Sequence, residues 1–319
     1  MNDDQLFEAI RARGIVDTHY HVGPELVDRR YDVATLAEAA RACGMTLVLK
    51  NHTYPTTPLA ALARARYGVR FLGSVVLNRF VGGLNPDAIV GAASGNRALV
   101  AGTGEDPAFV VYMPTVHAVS HLQVLGRAFD PRWSCGHTAH GDDGDAGEPV
   151  RVFDDELRPL PELRPVLEAI AATGAILATG HLCAAEIMRL VPLALDTGID
   201  RVLLTHPHYP SVELSDPQLV QLARDPRVFI EHCFAIHTIE QVPLRRFAQS
   251  ILATGTGQVV LSTDFGQVHS EPVPGGTVRY LRELRAQLGE AVDADAFVAM
   301  FGRNGERALR LADDVMMRS

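Results

Sequence analysis

Lysine is nearly missing from this chain: Lys50 is the only one among 29 basic residues, and the rest are arginine. Arginine evidently serves wherever positive charge alone is needed. A lone lysine at the end of an apolar run therefore suggests chemistry closed to guanidinium, because only an amine becomes neutral and nucleophilic at accessible pH. Cysteine is scarce as well. Cys43, Cys135, Cys183 and Cys233 show no paired spacing, which speaks against a disulfide framework and for reduced thiols in a cytoplasmic protein. No apolar run reaches the length of a membrane span. The formal charge of −9 leaves no basic surplus for a phosphate-binding face, so a nucleic-acid partner is not expected. The opening Met1-Asn2-Asp3-Asp4 lacks the basic-then-apolar layout of a secretion signal.

What is present is a large apolar fraction, 47% of 319 residues, enough for one sizeable α/β domain spanning 1–319. Its most informative stretch is Ile15-Val16-Asp17-Thr18-His19-Tyr20-His21. On extended backbone, residues two apart point to one side, so His19 and His21 aim both imidazoles at one place. Two neutral imidazoles converging at a strand end suit a divalent transition metal, zinc above all.

Eight short apolar runs follow one another: 15–19, 46–50, 69–77, 109–113, 175–179, 201–205, 228–230 and 259–263. Helical patterns alternate with them near 4–13, 33–43, 57–67, 162–173, 184–196, 215–224 and 238–253. Continuous apolar runs indicate parallel strands covered on their outer face. Eight such units in order predict a (β/α)8 TIM barrel, with its active site at the C-terminal strand ends. An open doubly wound sheet would carry a glycine-rich fingerprint after its first strand, and none is present. The long irregular stretch 116–160 reads as a lid-like insertion after strand four. It carries His121, Trp133 and a Cys135, His137, His140 cluster near Asp142 and Asp143, whose spacing matches no standard zinc finger.

Ligand-type residues gather at the rim this architecture predicts. His19, His21, His52, His117, His181, His206, His208 and His232 fall at or just beyond strand ends, as do Lys50, Glu231 and Asp264. Scatter would have put most of the 13 histidines on helices and outer loops. A metal site at this rim is the reading.

The ordered set resembles the amidohydrolase superfamily of metal-dependent hydrolases. It matches through His19-Tyr20-His21 after strand one, His181 after strand five, His206 after strand six and Asp264 after strand eight. The tail, Asn304-Gly305-Glu306-Arg307-Ala308-Leu309, is similar to the terminal Asn-x-x-Arg-x-Leu helix common there. Leu49-Lys50-Asn51-His52 and Tyr112-Met113-Pro114-Thr115 resemble a little-described branch. The resemblance implies that His19, His21 and Asp264 hold one ion, and that His181 and His206 complete that site or hold a second. Zn2+ is expected, with Mn2+ or Fe2+ as substitutes. Such an ion makes hydroxide available near neutral pH; Asp264 would take and pass on the proton, and His206 or His208 would help polarise the scissile carbonyl.

The sequence departs from the superfamily at strand four, which offers no carboxylated lysine or glutamate to bridge two ions. Lys50 could be carboxylated and bridge from strand two, or stay an ammonium that anchors a substrate carboxylate; two ions are slightly favoured. His52, His117, His208, Glu231 and His232 are candidates for substrate contact or for orienting the ligands. Arg79 is the other carboxylate binder at the rim. The implied reaction is hydrolysis of an amide, cyclic amide or lactone bond in a small molecule. The alternative is non-oxidative decarboxylation of a small carboxylic acid with one ion, and a third reading is a metal-binding barrel without catalysis. Barrels of this type often self-associate, so a homo-oligomer is expected.

Overall fold

Each of the eight apolar runs forms parallel strand in the computed structural model, which describes residues 1–97, 107–133 and 147–311. β1 is Val16–His21, β2 Thr46–Lys50, β3 Arg70–Leu72, β4 Ser74–Val76, β5 Val110–Tyr112, β6 Ile176–Ala178, β7 Val202–Thr205, β8 Val228–Cys233 and β9 Val259–Ser262. The helices stop where the sequence supplies an escape from the helical conformation. Val33–Cys43, Thr57–Tyr67 and Leu163–Thr173 end at Gly44, Gly68 and Gly174, all left-handed. The expected helix 238–253 is in fact two, Ala235–Thr238 and Leu244–Thr254. Pro243 opens the second, because it has no N–H to continue the first.

A single continuous ladder was expected, and the strands instead divide into two sheets, β1-β2-β3 and β4-β5-β6-β7-β8-β9. The third apolar run is cut at Gly73, where a Cβ would lie 2.3 Å from the Cα of Thr57. The start of the helix Thr57–Tyr67 presses on bare backbone there, which only glycine permits. Hydroxyls cross this seam: Thr56 and Ser74 both donate to the Leu49 carbonyl, at 2.6 and 2.7 Å. At the other seam β9 returns to β1. The Asp264 N–H donates to the His19 carbonyl at 2.9 Å, and the His21 N–H to the Phe265 carbonyl at 2.7 Å. The fold is therefore α/β, with two parallel sheets that meet at both edges through local bonds.

Alternation sorts the strand residues into two cores. Val16, Val48, Leu72, Val76, Val110, Tyr112, Ile176, Ala178, Leu203, Phe229 and Val260 cluster on the inner face with Ala308, Leu309 and Leu311 of the tail. Leu47, Leu49, Val75, Val111, Leu177, Leu204, Ile230 and Leu261 pack outward with the helices. The tail motif works at the N-terminal ends of the strands. Asn304 Nδ2 donates to the Thr256 and Val259 carbonyls at 2.8 and 2.7 Å, and Arg307 to that of Gly257 at 2.9 Å. This clamps the turn into β9, so the matching residues there serve architecture. Cys43, Cys183 and Cys233 are free thiols. Among the described residues, no helix is long and apolar enough to cross a membrane.

Candidate active site

A bulge in β1 builds the centre of the site. Asp17 pairs with Leu47 and Tyr20 with Leu49, so three residues of β1 span two of β2. The extra residue resets the alternation. Thr18 faces inward, where its hydroxyl donates to Glu231 and contacts Ser262. His19 and His21 then face inward as well, while Tyr20 joins the outer core. Asp17 turns the other way, to Thr263, whose hydroxyl donates to it at 2.5 Å.

Three further turns deliver the remaining groups. Gly180 follows β6 at φ +60°, and a Cβ there would meet the Met113 carbonyl at 2.4 Å; this close approach brings His181 onto the Pro114 carbonyl. His206, at φ +26°, and Asp264, at φ +54°, occupy the left-handed region just beyond β7 and β9. Non-glycine residues held there cost about 1–3 kcal/mol each and are maintained only by surrounding structure, which concentrates them at working sites.

Nε2 of His19 and Nε2 of His21 lie 3.1 and 3.0 Å from the same atom, Oδ1 of Asp264. On its far side His19 is bonded through Nδ1 to Oε2 of Glu231 at 3.1 Å. A carboxylate can only accept, so Nδ1 carries the proton and Nε2 presents a lone pair. That lone pair and the Asp264 oxygen face each other at 3.1 Å, a contact made favourable by a proton on the Asp264 carboxyl or by a cation beside the pair. Lys50 supplies one in this structure: its Nζ is 2.8 Å from His19 Nε2 and 4.5 Å from the Tyr112 ring centre. Donors each about 2.1 Å from a zinc ion sit roughly 3 to 3.5 Å from one another. The two distances to Asp264 fit that requirement, and the three ligand atoms all lie within 4.8 Å of one another.

Among the described residues, two other groups of ligand-type atoms converge, His19 with Glu231 and Cys233, and His21 with Glu25 and His52. The first is sealed beneath the site, and Glu25 in the second is engaged by Arg29. The triad with Asp264 places two of its members, His21 and Asp264, on the wall of a pocket; the second group also places two there, His21 and His52, but its carboxylate is taken by Arg29.

Burial sets the charge states. Desolvation holds His19, His21, His181 and His206 well below the ordinary histidine range, so all four are neutral and can donate lone pairs. Burial likewise lowers Lys50, against the pull of Asp264 and Glu231. It raises Asp264 to about 8 and Glu231 to about 7, with Lys50 opposing both shifts. A bound dication would bring these carboxyls back down.

The pocket has about 390 Å³ of space, counting its open mouth, and is lined by His21, Arg29, Lys50, His52, Trp133, His181, His206, Tyr209, Ala235, Ile236, Ile239, Glu240, Asp264 and Gln267. Six of the sequence candidates, His21, Lys50, His52, His181, His206 and Asp264, thus share one cavity. His19 and Glu231 lie just behind it. His208 and His232 do not line it; they stack on each other at 5.2 Å and against Phe247. His117 packs on Phe80, with ring centres 5.1 Å apart. His232 follows Glu231 in β8, so alternation alone turns it outward once Glu231 faces in. The 116–160 stretch contributes the helix Val119–Leu125, whose His121 Nδ1 is 2.8 Å from His181 Nδ1, and Trp133, stacked on His52. Cys135, His137, His140, Asp142 and Asp143 fall outside the described residues. Sequence reasoning missed Arg29, Tyr209 and Glu240. All three had a signal available, since each lies within eight residues of a rim histidine.

Glu231→Gln should weaken zinc about 10- to 100-fold, the usual cost of losing a partner behind a ligating histidine. The amide can present either its oxygen or its N–H to Nδ1, so the tautomer of His19 is no longer fixed. Zinc competition with a chelator measures this; unchanged affinity would mean that the bond does not set the tautomer.

The model of a family of unknown function, DUF6282, matches residues 14–231, a range that stops short of Asp264. No curated protein sequence matches the chain. Among solved structures it is similar to 2,6-dihydroxybenzoate decarboxylase from Rhizobium, at 14% identity and TM-score 0.51, over 94% of this chain and 99% of that one. It is similar to an amidohydrolase from Pseudomonas aeruginosa, at 12% identity and TM-score 0.50, over 97% and 98%. A triple mutant of the organophosphorus hydrolase from Deinococcus radiodurans gives 13% identity and TM-score 0.55, over 94% of each chain. The chain thus shares the fold of amidohydrolase-superfamily enzymes. Identities this low establish the fold and leave the reaction to be argued from the site.

Proposed function

This chain belongs to DUF6282, which brings no activity with it, and we propose from its site that it is a metal-dependent hydrolase of amidohydrolase type. His19, His21 and Asp264 hold one divalent ion, Zn2+ in the first instance, and the substrate is a small molecule with an amide, cyclic amide or lactone bond. The two sheets act as one (β/α)8 barrel with its site at the C-terminal strand ends. One observation carries the reading: Nε2 of His19, with its proton held on Nδ1 by Glu231, and Nε2 of His21 converge on one oxygen of Asp264 at 3.1 and 3.0 Å, a donor set and spacing suited to a divalent ion.

When bound, the ion would lower the pKa of a water and polarise the scissile carbonyl. Asp264 receives the proton of the attacking water and passes it to the leaving nitrogen or oxygen. His206, neutral and on the pocket wall, donates a hydrogen bond to the oxygen on which negative charge develops. Glu231 keeps the His19 proton on Nδ1, and His121 does the orienting for His181. Trp133, Tyr209, Ile236 and Ile239 narrow the pocket and limit access of bulk water.

A second reading, non-oxidative decarboxylation, is favoured by one specific observation. At the end of β5, where a bridging carboxylate would be needed for a second ion, stands Tyr112, whose hydroxyl donates to the Thr18 carbonyl. His181 is turned to His121. Both features support a single ion, which favours this reading over a two-ion hydrolase and leaves a single-ion hydrolase standing.

The test is metal analysis followed by assay of the zinc-loaded protein on amides, lactones and aromatic carboxylates. Turnover of an amide or lactone that is lost on chelation and returns with zinc is the expected result. Carbon dioxide release with no hydrolysis would transfer the assignment to the second reading. Failure on all three classes would overturn both and leave a metal-binding barrel.

A further inference from the structure

We propose that Arg29 is the anion-recognition residue of the pocket, and that the substrate carries a carboxylate bound there, away from the reacting bond. This rests on the reading of the cavity as a substrate site. Arg29 lines the pocket, yet its side chain is only 1% exposed. Nε and one terminal nitrogen both reach a single atom, Oε2 of Glu25, at 2.5 Å. The other Glu25 oxygen accepts the His52 N–H, also at 2.5 Å. Among the described residues, the second terminal nitrogen of Arg29 has no protein acceptor.

The segment holding this pair is fixed at several points. The Gly23 N–H bonds the Tyr31 carbonyl at 2.9 Å, the Arg30 N–H bonds that of Gly266 at 2.8 Å, and Asn51 Nδ2 bonds the Pro24 carbonyl at 2.9 Å. Taking a guanidinium and a carboxylate out of water costs several kcal/mol per ion unless good geometry returns it. Here the guanidinium meets one oxygen through one edge, so the fork retains an unused edge. A carboxylate is the shape that edge fits, by two parallel N–H···O bonds.

The other charges around the pocket are already engaged. Glu240 is held by Arg132 at 2.9 Å, and Lys50 is at His19. The rings of His52 and Trp133, nearly parallel with centres 6.1 Å apart, together with Ile236 and Ile239, make apolar walls. A flat or compact body bearing one carboxylate suits them, with benzoate as its simplest probe.

The test is calorimetric titration of the full-length zinc-loaded protein with benzoate and, separately, benzamide. Wild type should bind benzoate at least about tenfold more tightly than benzamide, as expected for a charge-assisted fork. Arg29→Gln should weaken benzoate about tenfold or more while changing benzamide less than about twofold, and Arg29→Lys should fall between. Any carboxylate contact with the ion is common to all these proteins, so the differences report Arg29. Arg29→Gln strands a buried Glu25. The double variant Arg29→Gln with Glu25→Gln removes both charges, and a thermal melt checks each fold. Benzoate affinity equal to wild type in the double variant would overturn the proposal, as would a wild type that does not prefer benzoate. Binding is read without turnover, so a chain that discriminates benzoate and catalyses nothing would sink the proposed reaction and leave this site standing.

Discussion

Lys50→Met should lose turnover by about 10³-fold or more, with a melting temperature within a few degrees of wild type and the same number of bound ions. The methionine keeps the shape of the stem in a position that is 1% exposed. It removes the amine 2.8 Å from His19 Nε2. Asp264 and Glu231 lose the cation that draws their pKa values down, so both take up protons more readily and no unpaired charge is left in the interior. Lys50→Arg should fail as completely, because a guanidinium stays charged and is too broad for the space between His19 and Tyr112. If the arginine variant kept more than about a tenth of wild-type kcat, the case for the amine would collapse. If Lys50→Met lost half its metal, a carboxylated lysine bridging two ions would replace the single-ion site.

The second large effect is expected at Asp264. Asp264→Asn should cost about 10³-fold or more in turnover and weaken zinc by more than the 10- to 100-fold typical of a partner behind a ligand. Asparagine tolerates the left-handed backbone that Asp264 adopts at φ +54°, so the variant should fold and isolate the carboxylate. The sign of the pH effect separates metal binding from stability. Burial raises this carboxyl from 3.8 to about 8, so the metal-free folded state keeps a proton that the unfolded chain has shed. Its contribution to stability is present at low pH and lost as pH rises between those values. Metal-free Asp264→Asn should therefore melt above metal-free wild type near pH 8, and zinc should reverse that order. A metal-free wild type that is the more stable at pH 8 would refute the buried-carboxyl account.

Much of the site was legible because strand ends are legible. His19, His21, Lys50, His181, His206 and Asp264 each follow a short apolar run, and a parallel α/β architecture brings such ends together. His208 and His232 looked equivalent on the same ground and were not brought in. His208 lies past the sharp turn at His206, where strand alternation no longer applies. His232 sits one residue out of phase with Glu231. Glu25 and Arg29 are separated by four residues, a spacing that in sequence reads as an ordinary surface pair; nothing local announces that the pair is buried.

The order of apolar runs, glycine stops and rim histidines determined, from sequence alone, a parallel α/β fold with ligand-type side chains gathered at one end of its strands. Those signals are local, since periodicity and turn chemistry act over a few residues. Only the tertiary structure decided the bulge in β1, the break at Gly73 and the placing of Arg29 in the pocket. Each depends on which distant backbone or side chain comes to lie within a few ångströms, and packing across the whole molecule sets that.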